Sequence, residues 1–389
     1  MDNPLLRLKE FDQSIWIDFI QRGMITSGQL QRFTEDDGIT GVTSNPSIFE
    51  KAIAGSQDYD SAIRALALEG RSIDRIYNVI TVEDIQRAAD LFRPIYDRLN
   101  GADGFVSLEV SPYVAHDTAG TIEEARRLWA AVARPNVMIK VPGTLEGLPA
   151  IQQLIGEGIN INITLLFGLP RYRQVVEHFM AGLETLTAQG KSMKSVTSVA
   201  SFFLSRIDVL LDPMLEALIV TDPSKSDAAH DFRGQVAILS AQAAYQMYKE
   251  LFESERFRKL KLQGAKPQRL LWASTGTKNP AYSDLKYVEA LIGPETIVTI
   301  PLETLTAYRH HGKPASRLTS GAAGQSQKTL QRLCEMGIDL DAATVQLENE
   351  GVQKFVKAFD LLMQALEEKR TAAVRSLADL GAVNPGVKV

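Results

Sequence analysis

The sequence has 389 residues, 45% of them hydrophobic and 23% charged, with a net charge of -5 and a pI near 5.7. This is ordinary globular composition, enough for one large domain or two. It excludes a fold-wide basic surface for nucleic acid and leaves any anion binding to a local cationic pocket.

The chain opens on MDNPLLRLKEFDQ, which has no basic segment leading into an apolar run, so no secretory leader is expected. No uncharged apolar stretch approaches the ~18 residues of a membrane-spanning helix. The lone Cys334 allows no internal disulfide, and cytoplasm is the expected compartment. SIWIDFI (14–20) and ITGVTSNP (39–46) read as the first two strands. TVEDIQRAADLFRPIYDRL follows as a helix capped by Thr81 with Asp84. GFVSLEVSP (104–112) is the third strand, and Thr121 with Glu124 suits a capping box for the helix TIEEARRLWAAVA. NVMIKVPG (136–143), INITLLF (161–167) and SVTSVASFF (195–203) are strands four to six. The stretch 212–233 exceeds what a plain crossover needs and reads as an insertion ahead of the helix GQVAILSAQAAYQMYKELF. RLLWAST (269–275) and TIVTIPLET (296–304) complete the strands. Cys334 falls in the pattern Leu330, Leu333, Met336 and reads as a buried small hydrophobe. Val352, Phe355, Val356, Phe359 and Leu362 repeat at i, i+3, i+4, i+7, which predicts a helix with one face on the core. Residues 380–389 read as a loose tail.

Eight alternating strand–helix units predict an α/β fold: a single (β/α)8 TIM barrel with additional helices, spanning 1–389, with a doubly wound sheet as the alternative. His116, His178, His230, His310 and His311 form no HxH or HExxH spacing, so no metal site is expected. GxGxxG and GxxxxGK[ST] are absent, so no nucleotide cofactor is expected.

The unusual feature is polar side chains inside the strands. Lys140 sits between Val-Met-Ile and Val-Pro. Alone, it reads equally as an edge-strand charge or as a desolvated amine able to attack a carbonyl. Its neighbours shift the balance, because side chains alternate faces along a strand. Ser107, Glu109 and Ser111 share one face; so do Asn160, Asn162 and Thr164; so do Thr43 and Asn45; and Asp18 stands amid apolar residues. Polar groups near the ends of five strands predict one shared pocket at the barrel's C-terminal rim, fitted for proton transfer.

GVTSNPSIF, VSLEVSP, VMIKVPGT, GININITLLF and VASFFLSRI resemble the transaldolase family over almost the whole chain, and WASTGTKNPAYSDLKYVEALIGPETIVTIP resembles its longer bacterial type. The resemblance implies a class I aldolase-type barrel without metal or organic cofactor. It implies transfer of a dihydroxyacetone unit between sugar phosphates, from sedoheptulose 7-phosphate and glyceraldehyde 3-phosphate to erythrose 4-phosphate and fructose 6-phosphate, in the pentose phosphate pathway. It implies Lys140 as the Schiff-base lysine and Asp18 as the acid/base at the C4 hydroxyl. Glu109 and Thr164 are implied as the pair that positions a water. Asn45 and Asn162 would hold the dihydroxyacetone hydroxyls, with Thr43 and Ser201 as secondary members. Arg206 and Ser274 match phosphate-binding residues. Shorter transaldolases carry an arginine two residues after that serine; here Gly276 stands there, and Lys278 is the expected second cation. Sugar phosphates are thus the expected partners, with no nucleic acid or membrane, and the oligomer is left open between monomer and homodimer. The alternatives are a fructose-6-phosphate-type or deoxyribose-phosphate-type class I aldolase, which acceptor dependence separates from a transferase, and a non-catalytic sugar-phosphate-binding barrel.

Overall fold

The computed structural model describes residues 3–318 and 320–383. Eight short strands, rich in Val, Ile and Leu, are buried on both faces, as parallel strands covered by helices must be. They are β1 (Gln13–Ile17), β2 (Ile39–Val42), β3 (Val106–Glu109), β4 (Val137–Pro142), β5 (Ile161–Leu166), β6 (Ser198–Phe203), β7 (Arg269–Ala273) and β8 (Thr296–Ile300). Each pairs in parallel with the next, and β1 pairs with β8 from Gln13 opposite Thr296 to Ile17 opposite Ile300. The sheet therefore closes into a (β/α)8 barrel, and the doubly wound alternative falls. Every strand pair but one is separated by at least one helix of eight or more residues; between β7 and β8 the helix shortens to Lys286–Ala290.

Two helix starts differ from expectation. The helix expected from Thr81 begins at Ile73, capped by the Ser72 side chain accepting from Arg75 N–H. Its first turns bury Ile76 and Ile80, β-branched residues that hide a helix from a propensity reading. Thr81 instead donates to the Tyr77 carbonyl, and Asp84 pairs with Arg22 at 2.8 Å. Similarly, the helix Thr118–Val132 is capped by Asp117 accepting from Gly120 N–H, and Thr121 donates to the Val114 carbonyl. A third difference is Cys334, which is exposed. It follows buried Leu333 by about 100° around the helix Ser320–Glu335 and so leaves the core face.

The segment 212–233 forms the second half of the helix Ser205–Thr221 and the helix Ser226–Phe232. The last helix runs from Leu340 to Val383, longer than the repeat from Val352 to Leu362 indicates. Of the tail expected from 380, residues 384–389 lie outside the described residues. Among the described residues no helix is long and apolar enough to cross a membrane.

Candidate functional site

Polar side chains at the N-terminal end of the barrel turn their donors onto the backbone rather than into a cavity. Gln13 donates to the Leu291 carbonyl, and Asn136 to the carbonyls of Ala89 and Gly104. Asn160 belongs here: its amide donates to the carbonyls of Pro135 and Val137. It shares a face with Asn162 but sits at the opposite end from the mouth, so it leaves the expected pocket. Ser111 also leaves, accepting from Tyr113 N–H in the turn after β3.

The C-terminal end is built differently. Register places Glu109 beside Lys140 and Lys140 beside Asn162, so three neighbouring strands project these side chains to one face in one row. All three are buried. Lys140 Nζ lies 3.0 Å from Glu109 Oε2, a buried pair of opposite charge. The same Nζ donates to the Ser44 carbonyl at 3.2 Å. Asn162 donates to Ser107 Oγ at 3.0 Å, and its Oδ1 accepts from Ser201 at 2.7 Å. Burial is the largest influence on Glu109 and pushes its carboxyl above the ordinary glutamate value, against the pull of Lys140. Thr164 is paired in register with Pro142, and its buried hydroxyl has no hydrogen-bond partner among the described residues. Just after it Leu165 takes a φ of 60° at a break in the β5–β6 ladder, so the strand kinks as it leaves the barrel.

In front of this row opens a cavity of about 600 Å³, a size suited to a phosphorylated sugar. Asp18, Thr43, Asn45, Lys140, Ser201, Arg206, Ser274 and Lys278 all line it. Glu109, Asn162 and Thr164 do not line it; Glu109 reaches it through Lys140 and Asn162 through Ser201. Asp18 is the first residue past β1 and accepts from the Thr43 hydroxyl at 2.9 Å. Asn45 caps the helix Pro46–Ala54, accepting from Ile48 N–H.

Three residues gather at the rim between β6, β7 and β8. Arg206 enters from the first turn of Ser205–Thr221. No carboxylate lies within ion-pair distance of it among the described residues; its guanidinium carbon stands 5.5 Å from the Phe203 ring centroid and 5.8 Å from that of Phe355. Its Nη1 is buried and, among the described residues, unpartnered. Burial pushes Arg206 below the ordinary arginine value, opposed by Asp18, Glu109 and Glu350. Ser274 follows β7 with a left-handed φ of 55°, and its hydroxyl shares a hydrogen bond of 2.8 Å with Ser205. Lys278 is exposed, between this cavity and a smaller one of about 270 Å³.

Several residues at or beside the cavity escape a sequence reading. The Ser44 carbonyl, Ser205, Lys51, Phe203 and Phe355 carry no signal of strand alternation. Ser44 lies inside GVTSNPSIF, and Phe203 and Ser205 inside VASFFLSRI, but neither motif marks them by residue type. Among the described residues no group of three or more His, Cys, Asp and Glu side chains is arranged to hold a metal ion.

Comparison with known proteins gives a consistent result. The family model described as Transaldolase/Fructose-6-phosphate aldolase matches residues 15–366. A protein of Nostoc sp. named Transaldolase 2 is 46% identical over 372 residues, 94% of this chain and 97% of the relative. A Saccharopolyspora erythraea protein named Transaldolase is 45% identical over 368 residues, 95% of this chain and 98% of its own. One from Thermobifida fusca, also named Transaldolase, is 41% identical over 372 residues, 96% and 100% of the two chains.

Proposed function

The chain belongs to the transaldolase/fructose-6-phosphate aldolase family, and from that premise we propose that it works as a transaldolase through the residues gathered at its barrel mouth. The observation that carries this reading is the row Glu109–Lys140–Asn162, with the amine 3.0 Å from a buried carboxylate.

The Lys140 amine attacks C2 of the ketose phosphate. Burial raises the proton affinity of Glu109, so its carboxylate can take the proton that Lys140 must lose and, as the acid, give it to the carbinolamine hydroxyl. Loss of water leaves an iminium; the Thr164 hydroxyl, unpaired among the described residues, is free to orient that water. Asp18 takes the proton of the C4 hydroxyl. The C3–C4 electrons flow into the iminium, an aldose phosphate departs, and a neutral enamine remains on Lys140. Asn45 and Asn162 hold the hydroxyls of the three-carbon unit, Asn162 oriented by Ser107 and Ser201 and Thr43 directing Asp18. A second aldose phosphate enters, the new bond forms, Asp18 returns its proton, and water releases the product. Arg206 and Ser274 receive the phosphate, Arg206 by its planar fork, with Lys278 as a mobile second charge.

Retaining the three-carbon unit is what separates a transferase from an aldolase. Fructose 6-phosphate given with an aldose phosphate acceptor should be consumed with formation of the new ketose phosphate. Without acceptor it should release little free dihydroxyacetone. Comparable release with and without acceptor would assign the chain to the aldolase branch of the family.

A further inference from the structure

A buried guanidinium is normally fixed by a carboxylate; Arg206 is fixed by rings. Phe203, at the end of β6, is one of them. The second ring, Phe355, comes from the C-terminal helix Leu340–Val383, far away in sequence. Phe355 is buried yet still lines the cavity.

The helix is pinned on both sides of this contact. Before it, Glu348 pairs with Arg171 at 3.0 Å, both largely buried. After it, Asp360 accepts from the Tyr113 hydroxyl, and Lys369 reaches Asp60 and the Ser56 carbonyl. Between the anchors stands Gly351, although glycine is a poor choice inside a helix. Its place is close to the site: a Cβ there would lie 2.8 Å from the movable Leu165 Cδ2 and in van der Waals contact, 3.5 Å, with Arg206 Nη1, the nitrogen that lacks a partner among the described residues.

We propose that this helix completes the phosphate end of the site. Phe355 and Phe203 together hold the Arg206 guanidinium, and Gly351 keeps the adjoining Nη1 edge clear. Phe355 and Gly351 thereby set the preference for phosphorylated over unphosphorylated sugars. The inference rests on Arg206 being the phosphate residue. Its physical content is preorganisation: a long arginine side chain held in place before the dianion arrives loses less freedom on binding. Phe355 and Gly351 act through Arg206 and are positioning residues.

The test is the ratio of kcat/KM for fructose 6-phosphate to that for fructose, measured in wild type, Arg206→Ala, Phe355→Leu, Phe355→Tyr and Gly351→Ala, with thermal unfolding confirming that each variant folds. Phe355→Leu should lower the ratio roughly two- to thirtyfold, the range of a cation–π contact, mainly by raising KM for the phosphorylated sugar. Phe355→Tyr, which keeps a ring, should restore most of it. Gly351→Ala should lower it in the same direction, which keeps the idea testable if Phe355→Leu folds poorly. A lowered ratio in Arg206→Ala with unchanged ratios in both Phe355→Leu and Gly351→Ala would overturn the helix's role while leaving Arg206 in place. Proportional loss for both sugars in Phe355→Leu would do the same, because it marks a packing role only. An unchanged ratio in Arg206→Ala would remove the phosphate reading itself and this inference with it.

Discussion

Two carboxylates serve the mouth of the barrel from different surroundings, and that difference lets them divide two proton transfers. Glu109 is fully enclosed beside Lys140, whereas Asp18 lies at the cavity wall with a Thr43 hydroxyl on its Oδ1. Asp18→Asn should therefore block carbon–carbon cleavage while imine formation survives. Glu109→Gln should slow imine formation and hydrolysis. General acid–base groups contribute roughly 10²–10⁴ in rate, so single-turnover measurements should find losses of that order at the separate steps; normal turnover by either variant would remove that residue's role. The pH dependence follows from burial. Glu109 holds its proton above the ordinary glutamate range, so a step that uses its acid form is sustained into that higher range and fades as pH rises through the raised value. That alkaline fall in imine-formation rate should vanish in Glu109→Gln. Strand alternation in the sequence places Glu109 and Asn162 on the polar faces of their own strands and predicts a pocket shared with Lys140; register supplies the common row. Alternation could not say which end of the strand each occupies, so Asn160 was grouped with the pocket although it bonds at the opposite end. The Ser44 carbonyl on Lys140 is backbone and leaves no trace in residue type.

Among the elements, the β6 and β7 ends carry the proposed phosphate contacts, and the loop after β7 is held by its own polar network. Asp208 accepts from Lys286 at 2.7 Å, from the Tyr287 hydroxyl at 2.8 Å and from Ala237 N–H at 2.9 Å. Asp212 accepts from the Tyr282 hydroxyl and from Gly234 N–H, both at 2.7 Å. Together they tie the segment that bears Lys278 to the helix Ser205–Thr221 that bears Arg206. Asp208→Ala strands the Lys286 ammonium and should cost about 3–5 kcal/mol in a urea unfolding series; a loss under about 1 kcal/mol, typical of exposed pairs, would contradict this account. Arg206→Ala removes hydrogen bonds to a charged ligand. Such bonds are worth roughly 1.5–3 kcal/mol, so efficiency on phosphorylated sugars should fall about ten- to over a hundredfold, with much of the loss in KM. The eight strands were legible because each is a short apolar run ended by Pro, Gly or Ser. The helix starts were not, because Ser72 and Asp117 compete as caps with Thr81 and Thr121, and tertiary packing chose between them. Phe355 belongs to a stripe that reads as core; periodicity gives the buried face but not the guanidinium that one of its members meets.

For the molecule as a whole, a chain of net charge -5 draws no dianion by its overall field, so recognition is local to the cluster around Arg206. Closure of the barrel brings Asp18 and Ser274, 256 positions apart in the sequence (274 minus 18), onto one cavity, a proximity that the order of strands implies and no local motif records. With an iminium as electron sink the reaction asks for no Lewis acid. Activity should therefore persist in excess EDTA; turnover lost to chelation and restored by a divalent ion would oppose that expectation. The central claim is the covalent bond to Lys140, and borohydride reduction with fructose 6-phosphate, followed by peptide mass mapping, tests it directly. The account predicts one reduced dihydroxyacetone adduct, on the peptide that contains Lys140, and none in Lys140→Ala. An adduct on another lysine, or none in an enzyme that turns over under the same conditions, would contradict it.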